Sequence, residues 1–520
     1  MRTILSMRNI VIGIFSQVII ILLGFISRKV FLDSLGIDYL GIDGLLTNVL
    51  SVIALIESGI GISIVYYLYK PLSENDKNKI ISLIQLYKKA YRVLALIVLI
   101  MGLSLYPFMD NFIKDGESIS NFTIIYFIFI AKNMVSFLNA YKLALINADQ
   151  RGYVVAKTNL IFQIITTIVK IIVLVLTNNY ILYLALELIL FTIQNIVNGN
   201  IVNRRYSYIK TKKKYPIDIE TKGNLITNVK AMFLHNIGGF LVFGTDNILI
   251  SSMVSIATVG IYSNYLMITQ QLAALVNPIL GGIGASVGNL IATESKEKNY
   301  SIFKVSYLVN FWIYSLCVIF LYNLLEPFIS WWLGSQYLFD NFIFILILIN
   351  FYLNGMRTTI STFKTKAGLF VQDKYIPLLE GVINLFASII LGNYFGLAGI
   401  FMGTTISTIL TIFWTQPIIV YKHLFKKPVI SYFLIYNYYA IITVVTCGIT
   451  VVICNILIEG NGILLLIYKG IICLLIPNII YLILFYRNTE FQYTYNLLKS
   501  TLNRKLVDLS QYFGHTKVKS

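Results

Sequence analysis

The apolar residues of this chain fall in long runs rather than in alternation. Fourteen such runs stand out: 10–27, 40–69, 93–109, 122–146, 160–176, 181–202, 231–253, 257–280, 305–325, 341–356, 376–391, 397–420, 429–456 and 463–485. Most have the ~17–25 residues that carry a helix across a ~30 Å hydrocarbon core. Period-2 alternation between turn signals is absent, which excludes a membrane barrel. Helices satisfy their own backbone hydrogen bonds, as lipid demands. The pattern therefore predicts an all-α polytopic membrane protein with about 14 transmembrane helices. No polar stretch exceeds about 35 residues, so no soluble enzyme domain is expected.

Composition decides the class independently. Charged residues make up 12% of the 520, against about 25% in a soluble chain, and hydrophobic residues make up 57%. The net charge of +18 would suggest nucleic acid, but its placement points to a membrane. With the N-terminus in the cytoplasm, 35 of the 41 Lys and Arg residues fall on the cytoplasmic side. Arg28, Lys29 and Lys114 fall outside, and Lys132, Lys170 and Lys469 fall within spans. Both termini are thus expected in the cytoplasm of a bacterial cytoplasmic membrane, the basic loops facing anionic lipid and no nucleic acid. The first run lacks a small-residue cleavage site and continues into Arg28, so it is expected to remain as a span.

The tail carries Phe491, Leu498, Leu502, Leu506, Leu509 and Phe513 at helical spacing among basic residues, the pattern of an amphipathic helix on the inner surface. A faint repeat is visible. Gln150-Arg151-Gly152-Tyr153 is echoed by Gln372-Asp373-Lys374-Tyr375, and Tyr39-Leu40-Gly41-Ile42 by Thr258-Val259-Gly260-Ile261. The two offsets agree to within three residues and equal six spans. The expected organisation is two six-helix lobes plus two C-terminal helices: a lobe over 1–202, a basic linker over 203–230, a lobe over 231–428, helices 13 and 14 over 429–486, and a basic tail over 487–520. Parallel repeats of this kind place the substrate site between lobes near the midplane.

Candidate chemistry rests on ionisable groups inside spans, which lipid makes costly. Neither cofactor nor metal is expected: there is no Gly-Lys pair, hence no P-loop, and no His/Cys/carboxylate set has metal spacing. The cysteines Cys317, Cys447, Cys454 and Cys473 read as small buried hydrophobes. Arg28 can grip a phosphate bidentately or serve as a snorkelling anchor. Asp246 and Asn247 lie mid-run with Thr245, facing a polar cavity or a partner helix. Lys132 lies near the middle of the fourth span, with Glu57 a candidate partner. Lys170 and Glu187 each stand seven residues from the turn at 177–180, so they share a depth and can form a structural pair. Glu380 and Lys469 are internal pairs or substrate contacts, and His235 reads as an interhelical histidine. Asp246, Glu57 and Glu380 are the candidates for ion coupling.

These residues also carry a resemblance. Arg8-Asn9, Phe25-Ile26-Ser27-Arg28, Tyr39-Leu40-Gly41-Ile42, Glu57-Ser58-Gly59-Ile60-Gly61 and Leu68-Tyr69-Lys70-Pro71-Leu72 form a first block. Thr245-Asp246-Asn247, Val259-Gly260-Ile261-Tyr262-Ser263-Asn264-Tyr265 and Gly288-Asn289-Leu290 form a second. Gly368-Leu369, Asp373-Lys374-Tyr375, Asn384-Leu385, Gly396-Leu397-Ala398-Gly399 and Gly403-Thr404 form a third. Together they resemble the polysaccharide repeat-unit (Wzx-type) flippases, whose superfamily includes multidrug extruders and the lipid II flippase. The resemblance implies alternating-access flipping of an undecaprenyl-pyrophosphate-linked oligosaccharide for capsule, exopolysaccharide or O-antigen assembly. It also implies membrane lipids as surroundings, and a polysaccharide polymerase and glycosyltransferases as partners. The cationic cavity of relatives points to Arg28 and Lys132 as headgroup contacts, with Asp246, Asn247 and Glu57 beside them. A multidrug extruder or a lipid II-type flippase on the same fold is the alternative.

Overall fold

In a computed structural model the chain is helical throughout, with no strand among the described residues. Those are 2–113, 121–217, 237–242, 244–369, 372–457 and 462–496, with 223, 225 and 499; side chains are described except for 2–16, most of 52–66 and most of 277–293. His235 and the tail beyond 499 lie outside them.

Seven helices come first: α1 (Arg2–Leu35), α2 (Ile37–Glu74), α3 (Lys77–Leu105), α4 (Phe122–Phe137), α5 (Ala140–Ala148), α6 (Gly152–Thr177) and α7 (Tyr180–Arg205). After the linker follow α8 (Asp246–Met253), α9 (Ile256–Thr293), α10 (Lys296–Trp332), α11 (Asn341–Met356), α12 (Thr358–Lys366), α13 (Ile376–Phe395), α14 (Leu397–Leu410), α15 (Ile412–Val420), α16 (Ile430–Leu457) and α17 (Ile463–Phe485). Among the described residues nine helical stretches are long and apolar enough to span a membrane, or ten if α4 and α5, bent by 42°, make one span. The other four expected spans, 10–27, 40–69, 231–253 and 257–280, run over residues whose side chains are partly outside the description.

The repeat is written in the helix boundaries. α2 and α9 each have 38 residues and begin 219 apart. α3 and α10 begin 219 apart, and each is capped alike: Asp76 accepts from Lys79 N at 3.0 Å and Ser295 from Lys298 N at 3.3 Å. Such caps satisfy amides that the first turn leaves unpaired. α4 and α11 have 16 residues each, again 219 apart, and α5 and α12 have nine each, 218 apart. Both copies thus interrupt the fourth helix of the repeat at the same place. Neither break contains proline. In the first copy asparagines answer it: Asn139 Nδ2 donates to Asn195 Oδ1 at 2.6 Å, and Asn195 Nδ2 donates to Val135 O at 3.1 Å.

The chain divides into two compact units, Met1–Met267 with Tyr375–Ser407, and Ile268–Lys374 with Thr408–Ser520. In the first unit the beginnings of α2 and α9 cross reciprocally. A Cβ on Gly41 would stand 2.0 Å from Ile256 O, and one on Gly260 2.4 Å from Ile37 O. The two glycines are repeat equivalents, as are the two isoleucines. Small residues allow backbones this close approach. Gly44 continues the contact, with Ser263 Oγ 3.0 Å from its Cβ position.

The second unit is built on rings. Phe303, Tyr307, Phe311, Tyr421, Phe425 and Tyr481 are almost fully buried, and Phe311 stacks on Tyr439 with centroids 4.2 Å apart. Buried phenols need partners: Tyr481 shares a hydrogen bond with Ser315, which accepts from Thr443 Oγ1 at 2.9 Å. Trp312 Nε1 donates to Asn478 Oδ1 at 2.8 Å, and its ring stacks on Phe491 of the helical segment 489–496. Lys304 pairs with Glu490 at 2.6 Å, tying that segment to α10. Lys364 and Asp373, both buried, are ion-paired across the turn after α12. The four cysteines are free thiols.

Gly41→Ala is expected to cost about 1–3 kcal/mol, as overpacking does. Gly448→Ala, where an added Cβ meets nothing within 4 Å, should stay within about 0.5 kcal/mol of the parent. Equilibrium unfolding in detergent measures both.

Candidate functional site

The first unit gathers five ionisable side chains from five helices. Lys132 of α4 donates to Glu187 Oε1 at 2.5 Å, and Lys170 of α6 donates to Glu187 Oε2 at 2.6 Å. One carboxylate on α7 thus answers two ammonium groups. The Lys170–Glu187 contact joins residues at equal distance from the α6–α7 turn. Lys132 finds its partner on α7; the Glu57 side chain is outside the description. Asp43 of α2 lies within electrostatic range of Lys132, Lys170, Glu187 and Arg28 of α1. Three cations face two carboxylates, which leaves one net positive charge.

Aromatic rings wall this cluster. Lys170 Nζ lies 4.2 Å from the Tyr183 ring centroid, close enough for cation–π attraction. Tyr183 pairs with Phe31 at 5.5 Å and Tyr180 with Tyr39 at 4.9 Å, and the Tyr180 hydroxyl lies beside Asp43. Arg28 interacts electrostatically with Asp43 and Tyr183. Its Nη1 is buried with no hydrogen-bond partner among the described residues. A buried guanidinium nitrogen is costly to leave unanswered, and among the described residues no acceptor meets it. The Lys132 side chain keeps 37% of its surface exposed, against 17% for Lys170. Lys132 is therefore the accessible edge of the pair network.

Asp43 is the member that sequence reasoning does not single out. Its signal was there: it falls inside the expected span 40–69, flanked by Ile42 and Gly44, where any carboxylate is costly.

A second polar group in the first unit surrounds the start of α8. Asp246 and Asn247 are buried, and each has an Oδ1 without a hydrogen-bond partner among the described residues. Asn247 Nδ2 donates to Gly44 O at 3.4 Å, and Thr245 Oγ1 donates to Leu241 O at 2.8 Å. Asp246 interacts electrostatically with Tyr262, which packs on Phe401 at 4.8 Å. Glu380 is buried on α13. One turn on, Asn384 Nδ2 donates to Thr404 Oγ1 at 3.0 Å. α13 runs parallel to the 238–253 stretch, Gly381 against Leu241 and Gly392 against Met253, which sets Asn384 near the depth of Asp246. No group of three metal-binding side chains occurs among the described residues.

The sequence matches no protein-family model and no curated protein. Solved structures do match. The lipid II flippase MurJ in an inward closed conformation aligns with a TM-score of 0.64 at 16% identity, over 92% of this chain and 98% of that one. A mutant form of the Vibrio cholerae MATE transporter VcmN aligns at 0.58 and 14% identity, over 82% and 99%. An inward-facing multidrug resistance MATE family transporter of the MOP superfamily aligns at 0.53 and 15%, over 77% and 94%. The chain therefore has the polytopic membrane fold that the lipid II flippase and the MATE transporters share.

Lys170→Met is expected to destabilise by about 3 kcal/mol, the lower end for removing one member of a buried ion pair. Lys132→Met should cost less, because Lys132 is more than a third exposed. Lys170→Met combined with Glu187→Met should recover none of the loss, because it also takes from Lys132 its carboxylate. Thermal unfolding in detergent ranks the three.

Proposed function

We propose that the protein is a flippase moving undecaprenyl-pyrophosphate-linked oligosaccharide units from the cytoplasmic to the outer leaflet by alternating access. The reading sets it in a bacterial cytoplasmic membrane with both termini inside. Glycosyltransferases supply the substrate, and a polysaccharide polymerase consumes it. The observation that carries it is the net positive cluster with an Arg28 nitrogen that is buried and meets no acceptor among the described residues. A pyrophosphate-sugar headgroup cannot enter hydrocarbon without partners for its charges and hydroxyls. Arg28 binds the phosphate in this scheme, Lys132 at the accessible edge adds charge, and the surrounding tyrosines lie against sugar rings. Asp43, Lys170 and Glu187 hold the geometry. The resemblance of residues 8–428 to repeat-unit flippases, and the fold shared with a protein titled a lipid II flippase, support the same class.

Asp246, Glu57 and Glu380 are the proposed ion-coupling residues, with Asn247, beside Asp246, a proposed substrate contact. An inside-negative potential drives an anion outward, by about 2.3 kcal/mol per charge per 100 mV.

The cation-extruding alternative calls for carboxylates in excess of bases at the site, and the balance here is opposite. A lipid II-type substrate shares the same pyrophosphate chemistry and is separated by experiment.

In cells lacking the protein, lipid-linked oligosaccharide should become inaccessible to a sugar-binding lectin until the cells are opened. A normal outer-leaflet pool with reduced drug tolerance would favour the extruder, and arrested peptidoglycan synthesis would favour lipid II. Arg28→Ala should lower flipping at least tenfold while the protein stays folded. Dissipating the membrane potential should slow flipping; an unchanged rate would remove the coupling.

A further inference from the structure

A second polar site lies in the other unit, where nothing above assigns one. The end of α11 and all of α12 carry a continuous polar stripe: Asn354, Arg357, Thr358, Ser361, Thr365 and Lys366, with Thr362 beside it. These residues line a cavity of about 300 Å³. The opposite face of the same helix is core: Met356, Ile360 and Phe363 are fully buried. The outward stripe contains no apolar residue. A lipid-facing surface in this protein looks different: on α17 the exposed positions include Ile463, Leu464, Ile467, Ile471, Leu474 and Leu475. Two cations and a ladder of hydroxyls against hydrocarbon would be prohibitive, so the stripe faces water.

The internal repeat supplies a control. α5 is the counterpart of α12 at an offset of 218; it sets Ala140, Leu143, Ala144 and Ala148 where α12 has Thr358, Ser361, Thr362 and Lys366, while Asn139 and Asn147 stand where Arg357 and Thr365 do. The architecture of a broken fourth helix therefore does not require the two cations or the unbroken run of polar residues here. Something specific to this copy does.

The chemistry of the stripe selects the ligand. Arg357 Nη2 donates to Asn354 Oδ1 at 2.9 Å, which holds the guanidinium at the cavity edge. Lys366 has no carboxylate within ion-pair range among the described residues. The two cations are nine residues apart, about 13 Å along a helix, with hydroxyls on the turns between them. Guanidinium and ammonium suit phosphate, and hydroxyls that both donate and accept suit sugar. The volume is at the lower end for a small-molecule site, enough for a phosphate with a sugar ring and too small for a whole oligosaccharide.

We infer that this cavity is a docking site for the phosphate-and-sugar headgroup of the lipid-linked substrate, separate from the Arg28 cluster. The nature of the ligand rests on the flippase reading; the site itself rests on the stripe. Anionic phospholipid presents the same phosphate chemistry, so the experiment has two arms. The full chain in nanodiscs is titrated with undecaprenyl pyrophosphate and, separately, with phosphatidylglycerol, and binding is read by native mass spectrometry. The Arg357→Gln/Lys366→Gln variant should weaken undecaprenyl pyrophosphate about tenfold and leave phosphatidylglycerol within twofold. Lys366→Gln alone, at an exposed position, should give a smaller loss in the same direction with unchanged thermal stability. Equal weakening of both lipids would overturn the proposal in favour of a general lipid contact, and unchanged binding of both would overturn it outright. A parent protein that takes up no undecaprenyl pyrophosphate would sink the flippase reading and this inference together; binding by the parent with no effect in the variants would sink the inference alone.

Discussion

Hydrocarbon offers no hydrogen bond, so each polar group inside a span must be answered by the protein. The contact on which the first unit depends most is Glu187 between Lys132 and Lys170. One carboxylate, accepting at 2.5 and 2.6 Å, fixes α4, α6 and α7 relative to one another. The α4–α5 break follows the same rule a few residues away, with Asn139 and Asn195 taking up the exposed backbone. Once these obligations are met, Asp43 is left among three cations, and one nitrogen of Arg28 has no acceptor among the described residues. Structural satisfaction and the proposed headgroup contacts thus fall in one cluster.

The second unit meets the constraint differently. It contains no charged network of that kind in its aromatic core. Its burden falls on neutral groups: Ser315, Thr443 and Tyr481 form a chain of hydroxyls between stacked rings. Its ion pairs, the half-buried Lys304–Glu490 and the buried Lys364–Asp373, lie outside that core, where they close α10 against the 489–496 segment and α12 against the following turn. Tyr307, Tyr314, Tyr421, Tyr432, Tyr436, Tyr439 and Tyr481 are buried in this unit.

What the sequence makes legible is what depends on distance along the chain. The long apolar runs give the helices. Equal spacing from a short turn brings Lys170 and Glu187 to one depth. The Tyr39–Ile42 and Thr258–Ile261 echo gives an offset of 219, which the boundaries of α2 and α9 repeat. What depends on packing is not legible. Nothing along the chain assigns Lys132 to Glu187 across 55 residues. The break after Phe137 contains neither glycine nor proline, so no local rule announces it. Asp43 hides in a stretch of small residues whose reason is the α2–α9 crossing. The stripe on α12 reads as a basic loop until the helix is seen to continue through it.

The crossing itself has a mechanical consequence. Gly41 rests on the carbonyl of Ile256 and Gly260 on that of Ile37, main chain against main chain, with each contact the copy of the other. Interdigitated side chains resist rotation, because they must leave one set of rotamers and enter another before two helices can turn. Here the contact is made by the smoothest surface a protein has. Only short reaches of Ile37, Ile256, Val259 and Ser263 flank the crossing, so turning the two helices about their point of approach has few knobs to withdraw from holes, and the matched pair keeps the axis of that turn centred. A duplicated glycine makes a bearing.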